Sequence, residues 1–208
     1  MIQETLKKVA AGQDLTYDEA YASMDEIFSG QVPGETTAGY LTALHMKGET
    51  LDEITASANG MRDHAESLPH DGIDVLEIVG TGGDCANSFN ISTTSGIVAA
   101  AAGVPIAKHG NRSVSSKSGA ADVLEALGVN ISISPKKMGK VLAECNMSFM
   151  FAQVYHKAMK YAGPVRKALG IPTVFNILGP LTNPAKAQMQ IMGVYKEELV
   201  DQMAPVLV

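Results

Sequence analysis

Residues 77–94 read EIVGTGGDCANSFNISTT, and the fold turns on how this stretch is parsed. A short apolar run, Val75, Leu76, Ile78 and Val79, stops at Gly80, Gly82 and Gly83. Asp84 and a polar segment carrying Asn87, Ser88, Asn90, Ser92 and Thr93 follow, and an alanine-rich helix then runs to about Ala102. Strand, glycine turn and hydroxyl-rich helix start together present backbone N–H groups to an anion. Glycines without Cβ atoms let a phosphate approach the main chain closely. The stretch therefore predicts a phosphate or pyrophosphate cradle. No lysine follows the glycines, which excludes a P-loop, and the spacing is not that of a dinucleotide fold.

Outward from the cradle, the pattern divides the chain. Residues 1–70 read as helices only. Thr16 with Glu19 and Thr50 with Glu53 are capping boxes, each followed by an apolar stripe at helical spacing. Pro33-Gly34 separates the second helix from a third over 37–47, and 68–72 forms a linker. From 71 to 208 strands alternate with helices, which predicts an α/β fold with a largely parallel sheet. Strands are expected at 75–79, 104–108, 147–151 and 188–195, with a brief extended segment at 129–133. Helices are expected at 90–102, 120–127, 135–145 and 196–208. A further helix over 155–169, broken at Gly163-Pro164, is expected to pack back on the helical domain and leave a cleft.

A second candidate element, KHGNRSVSSKSG at 108–119, follows the second strand. It sits at a strand's carboxyl end, where open α/β sheets place ligands. Lys108 and Arg112 bring positive charge, and Asn111, Ser113, Ser115 and Ser116 bring neutral donors. Such a loop suits closure over a diphosphate; the other reading is a solvated surface loop.

The net charge of −6 and pI near 5.3 disfavour a nucleic-acid groove. The two cysteines, Cys85 and Cys145, form no CxxC pair and suggest no disulfide framework. No signal-peptide core or membrane-length apolar run is present. The expectation is a soluble cytoplasmic protein with no nucleic-acid or membrane partner. His45, His64 and His70 read as surface groups, and His156 as a partly exposed helix residue.

GTGGD at 80–84, NIST at 90–93, KHGNRSVSS at 108–116, GAADVLEALG at 119–128 and FNILGPLTNP at 175–184 resemble the anthranilate phosphoribosyltransferase family, in order and spacing. The resemblance implies transfer of 5-phosphoribose from phosphoribosyl pyrophosphate to anthranilate, in tryptophan biosynthesis, by a magnesium-dependent homodimer. It places phosphoribosyl pyrophosphate on Gly80, Gly83, Asp84, Ser88, Asn90, Ile91, Ser92 and Thr93. The same substrate would be held by Lys108, His109, Gly110, Asn111, Arg112, Ser113, Val114, Ser115, Ser116 and Ala120. Anthranilate would meet Gly80, Asn111 and Arg166, with His109 and Pro180 lining its channel. Ser92 would help ligate Mg2+. No catalytic residue stands out; Lys108 is the leading contributor to electrostatic stabilisation.

Three departures from the family pattern qualify this. Ser88 replaces threonine and Ala120 replaces serine, and the family's acidic magnesium pair falls beyond Val208. The chain thus reads as the N-terminal portion of a longer enzyme, with little activity expected alone. A nucleoside phosphorylase, or a binding protein of the same fold without turnover, remain the alternatives at this point.

Overall fold

The structure is a computed structural model and describes residues 1–82, 88–113 and 118–207. By contacts the chain divides into two compact units, Met1–Ala65 with His156–Thr182 and the residues from Asp201 on, and Glu66–Tyr155 with Asn183–Val200.

The first unit opens with four helices: α1 (Ile2–Ala10), α2 (Tyr17–Phe28), α3 (Gly34–Lys47) and α4 (Leu51–Asp63). Both expected capping boxes form. Thr16 Oγ1 accepts from Glu19 N at 3.3 Å while Glu19 Oε2 accepts from Thr16 N at 3.1 Å, and Thr50 and Glu53 repeat the exchange. The third helix begins at Gly34, three residues before the expected start, because Pro33 sits at its N-cap with ψ 147° and ends the extended chain there. Ala20, Met24, Ile27, Tyr40, Leu41, Leu44 and Ile54 make the apolar interior.

Three elements of the later chain join this unit: α9 (Met159–Leu169), α10 (Phe175–Leu178) and a 3-10 turn Gly179–Leu181. The expected interruption at Gly163-Pro164 is not found; α9 runs through both residues. The break lies instead at His156, just after α8 (Ala152–Tyr155). Lys160 N and Tyr161 N bond three residues back, to Lys157 and Ala158 carbonyls, so the helix enters through a tight turn. Pro164 forfeits a single ladder bond, and packing of α9 on α2 and α3 outweighs that loss.

The second unit is a parallel sheet in the order β3-β2-β1-β4, formed by β1 (Leu76–Gly80), β2 (Ile106–Gly110), β3 (Met147–Phe151) and β4 (Met189–Gly193). Period-2 alternation splits its side chains between two layers. Ala107 and Met150 pack with Met138 and Leu142 of α7 (Pro135–Cys145). Ile78 and Ile106 pack with Ala100 of α5 (Ile91–Ala101), while Phe149 and Phe151 pack with Ala121 and Leu124 of α6 (Ala120–Ala126). Both faces of β2 and β3 are covered, so even their polar members Lys108, His109 and Ser148 are buried.

Two expectations fail here for identifiable reasons. Residues 129–133 form a turn, not a strand; Ile131 is apolar because it is buried against Phe149 and Phe151. The second strand spans Ile106–Gly110 rather than 104–108, so Lys108, His109 and Gly110 belong to the sheet and not to the loop. At the chain's end the expected 196–208 helix is the shorter α11 (Glu198–Met203), followed by a 3-10 turn Ala204–Leu207.

Candidate functional site

β1 delivers Gly80 to the carboxyl edge of the sheet. Thr81 N donates to Gly193 O at 3.0 Å, and Gly82 turns with φ +71°, a conformation that favours glycine. The chain returns as α5, whose N-cap is Asn90. No side chain caps this helix, and Asn90 Nδ2 donates to Ser118 O at 3.2 Å. Ile91 N donates to Phe89 O at 2.7 Å, so the uncapped first turn leaves the main-chain donors of Ser92 and Thr93 available to an anion. Ser88 and Ile91 are exposed, Asn90 and Ser92 half-buried, and Thr93 buried. Gly83 and Asp84 lie outside the described residues, as do Cys85 and Asn87.

The neighbouring strand end is organised by a residue that sequence reasoning passed over. Asp122, at the third position of α6, accepts from Ser113 N at 2.9 Å and Gly119 N at 2.8 Å with one carboxylate oxygen. It ties both ends of the 113–119 loop, and those two N–H bonds hold its carboxyl below the ordinary range. The signal was present: Gly119 and Asp122 have the spacing of a capping box. Val114, Ser115 and Ser116 lie outside the described residues. Asn111 O accepts from Ala121 N at 3.3 Å, and Ala120 opens α6 half-buried.

The two cations read from the sequence sit differently from that reading. Arg112 does not stand free for a ligand; its guanidinium pairs with Asp122 and Glu125 and lies 5.4 Å from the Phe151 ring centre. Lys108 is 3% exposed, and its Nζ donates to Ile78 O at 2.7 Å. Burial pushes the Lys108 ammonium down to about 8, with the Glu77 carboxylate opposing that shift.

Glu77 was read only as the start of a strand. It is fully buried, with Oε1 accepting from His109 N at 3.2 Å and Oε2 from Gln190 Nε2 at 2.7 Å. Burial pushes it up to about 7, against the hydrogen bonds it receives. A single acidic residue inside an apolar strand was the only sequence signal. His109 is 6% exposed on β2.

Arg166, Pro180 and His156 belong to the first unit, Gly80, His109 and Asn111 to the second. The Arg166 guanidinium lies 5.1 Å from the Phe175 ring centre and forms no ion pair among the described residues. Pro180 is buried. His156 is 4% exposed, not the partly exposed residue expected, and burial pushes it down to about 4. His64 is held by Asp25 Oδ1 at 2.7 Å and His70 by Ile73 O at 2.8 Å.

The described residues do not by themselves make a magnesium site. Ser92 contributes one neutral hydroxyl, and no group of three or more His, Cys, Asp or Glu gathers among the described residues. Magnesium takes several oxygen ligands, usually including a carboxylate.

A helical unit joined to a parallel sheet, with a glycine turn and an uncapped helix start at the carboxyl edge, defines an α/β protein with a candidate anion site at that edge. The chain belongs to the glycosyl transferase family: the family's a/b domain model matches residues 72–208 and its helical bundle domain model residues 3–65. It is similar to anthranilate phosphoribosyltransferase of Lachnoclostridium phytofermentans, 60% identical over all of this chain and 61% of that protein. It is likewise similar to the anthranilate phosphoribosyltransferase of Methanobrevibacter smithii, 62% identical over all of this chain and 62% of the relative. The crystal structure of the Thermus thermophilus enzyme superposes with TM-score 0.92 at 46% identity, covering 98% of this chain and 62% of that one. The Saccharomyces cerevisiae enzyme in complex with PRPP and Mg superposes with TM-score 0.91 at 31% identity, covering 99% and 61%. The chain thus spans about 60% of the length of the relatives it matches. Among the described residues no helix is long and apolar enough to cross a membrane.

Proposed function

We propose that the protein carrying this chain transfers 5-phosphoribose from phosphoribosyl pyrophosphate to the amine of anthranilate. The observation that carries the reading is the uncapped start of α5 beside Gly80, with Asn90 bonded across to Ser118 at the foot of the 113–119 loop. Two flanking segments with main-chain donors suit a ligand that carries phosphate at both ends. The relatives' activity and the PRPP-bound neighbour support the same substrate.

In the reaction the amine lone pair forms a bond to ribose C1 while the bond from C1 to pyrophosphate oxygen breaks. The pyrophosphate leaves with the bonding electrons, and the amine nitrogen then loses a proton. Charge develops on the departing diphosphate, so donors placed before the event lower the barrier. The N–H groups of Ser92 and Thr93 are assigned to the phosphates together with the Gly110-Asn111 end of the neighbouring segment, where Arg112 N and Ser113 N already donate to Asn111 Oδ1 and Asp122. Lys108 is buried behind them, and its charge acts through the strand rather than by contact. Arg166, half-buried and without a carboxylate partner among the described residues, is assigned to the anthranilate carboxylate; Gly80 and Asn111 are assigned to the same substrate. Magnesium accompanies PRPP in the yeast complex, and Ser92 would be one of its ligands here, where the ion would offset charge on the diphosphate.

We further infer a cytoplasmic homodimer. An apolar depression of about 570 Å3 between α1 and α3, lined by Leu6, Val9, Ala38, Gly39 and Met46, supports self-association. The test is product formation by a form of the relatives' length, given both substrates and Mg2+, followed through loss of anthranilate fluorescence. Phosphoribosylanthranilate is the expected product; its absence overturns the proposal.

A further inference from the structure

The sheet is not uniformly laddered. β1 and β4 pair at five successive positions, from Leu76↔Met189 to Gly80↔Gly193, whereas β1 and β2 pair regularly only at Leu76↔Ile106 among the described residues. From that register, parallel pairing would next join Ile78 N to Ala107 O and His109 N to Ile78 O. Three of these main-chain groups are taken by side chains instead. His109 N donates to Glu77 Oε1 at 3.2 Å, Ile78 O accepts from Lys108 Nζ at 2.7 Å, and Ala107 O accepts from Asn183 Nδ2 at 2.9 Å. All three side chains are buried, Glu77 completely, Lys108 at 3% and Asn183 at 7% exposure. Two of the three are held from a second side as well: Gln190 Nε2 donates to Glu77, and Asn183 Oδ1 accepts from Ala185 N at 2.8 Å.

We propose that Glu77, Lys108 and Asn183 form a wedge that keeps the carboxyl ends of β1 and β2 apart, and so sets the spacing between Gly80 and Gly110 for the ligand's phosphates. Burying a carboxylate and an ammonium inside a sheet is costly unless both are hydrogen-bonded, and an ordinary ladder would satisfy the same main-chain groups without them. The wedge replaces short main-chain bonds by longer side-chain bridges at the one seam whose ends flank the cradle. Glu77 and Asn183 are therefore positioning residues. The phosphate-spacing part rests on the proposed function; the open seam does not.

The experiment uses isotope-labelled 1–208 chain and calorimetry with PRPP plus Mg2+. In the wild-type chain the coupling across the His109 N–H hydrogen bond runs to the Glu77 carboxylate carbon. In Glu77→Ala it runs to the Ile78 carbonyl carbon as the ladder closes, and PRPP affinity falls roughly tenfold. Glu77→Gln keeps an acceptor for His109 N and stays within about threefold of wild type. Should Glu77→Ala not fold, Asn183→Ala makes the test from the other side, with Ile78 N coupling to Ala107 O. A wild-type coupling from His109 N to Ile78 overturns the wedge. Folded Glu77→Ala and Asn183→Ala variants with wild-type affinity overturn the positioning role. A wild-type chain that does not bind PRPP overturns that role together with the proposed function, while the couplings still decide the wedge.

Discussion

Replacing Gly119 by alanine isolates how tightly the loop base is built. Gly119 has φ −86° and ψ 177°, extended backbone that alanine adopts freely, so no conformational strain enters. The added Cβ lands 2.4 Å from Ser113 N, 2.7 Å from Arg112 C and 3.0 Å from Asn111 O. All three are main-chain atoms, and no rotamer change relieves the clash. Segment 111–113 must retreat by about 1 Å to reach ordinary contact. That retreat stretches the Ser113 N and Gly119 N bonds to Asp122, now 2.9 and 2.8 Å. Overpacking of this kind costs about 1–3 kcal/mol. For a chain of this size a cost of about 2 kcal/mol lowers the melting temperature by about 4–8 °C. PRPP affinity is expected to fall roughly tenfold, because Asn111 moves with the segment. Gly128→Ala is the control: its φ is +84° with open space around it, so it costs only backbone strain of about 1 kcal/mol and leaves binding unchanged. A Gly119→Ala chain that melts within about 1 °C of wild type, with unmoved amide resonances at 111–113, refutes the reasoning.

Further outcomes follow from buried charge. Lys47 Nζ bridges Asp14 at 2.7 Å and the fully buried Glu53 at 2.9 Å, so Lys47→Met strands a carboxylate and destabilises the first unit by roughly 3 kcal/mol or more in urea melts; Lys47→Met with Glu53→Gln recovers most of it. His156 titrates at about 4 in the folded chain against 6.5 for a free histidine. Its contribution is complete above pH 6.5 and lost as pH falls towards 4, by up to roughly 3 kcal/mol, and His156→Gln flattens that acid limb. Glu77 works in the other sense: its contribution is complete below pH 4.5 and lost as pH rises through about 7, so Glu77→Gln flattens the limb between pH 4.5 and 7 in the same melts. Gly139→Ala drives a Cβ to 2.3 Å from Pro69 O and is expected to destabilise the second unit by about 1–3 kcal/mol, read by calorimetric scanning.

Local signals carried far in this sequence. Thr16/Glu19 and Thr50/Glu53 announced two helices because a capping box is closed within four residues. Met147–Phe151 was legible as a strand because it is short and apolar but for Ser148, as a strand covered on both faces is. Where the outcome depended on distant partners, the sequence misled. Ile131 looks like part of a strand, yet its apolar side chain serves the α6 cluster from a turn. Pro164 looks like a helix break, yet α9 absorbs it because α2 and α3 hold the helix in place. The site shows the same division. Glycines and hydroxyls at 80–93 name a cradle by type alone. Whether Lys108 and Arg112 face a ligand depends on Ile78 O, Asp122 and Glu125, which no local pattern links to them.

That displacement of charge has a mechanical reading. On the proposed function, free cations at the base of the 113–119 segment would hold the product as firmly as the substrate. Arg112 is neutralised by Asp122 and Glu125, and the same Asp122 pins Ser113 and Gly119. Lys108 is withdrawn into the seam with Glu77 near it. The donors left towards the carboxyl edge are mainly neutral main-chain N–H groups and hydroxyls. Such groups grip an anion by geometry, so their hold depends on how far apart Gly80 and Gly110 stand. A spacing held by buried side chains is more rigid than one left to loop residues, which is the reason to place the control of binding in the sheet, behind the proposed site.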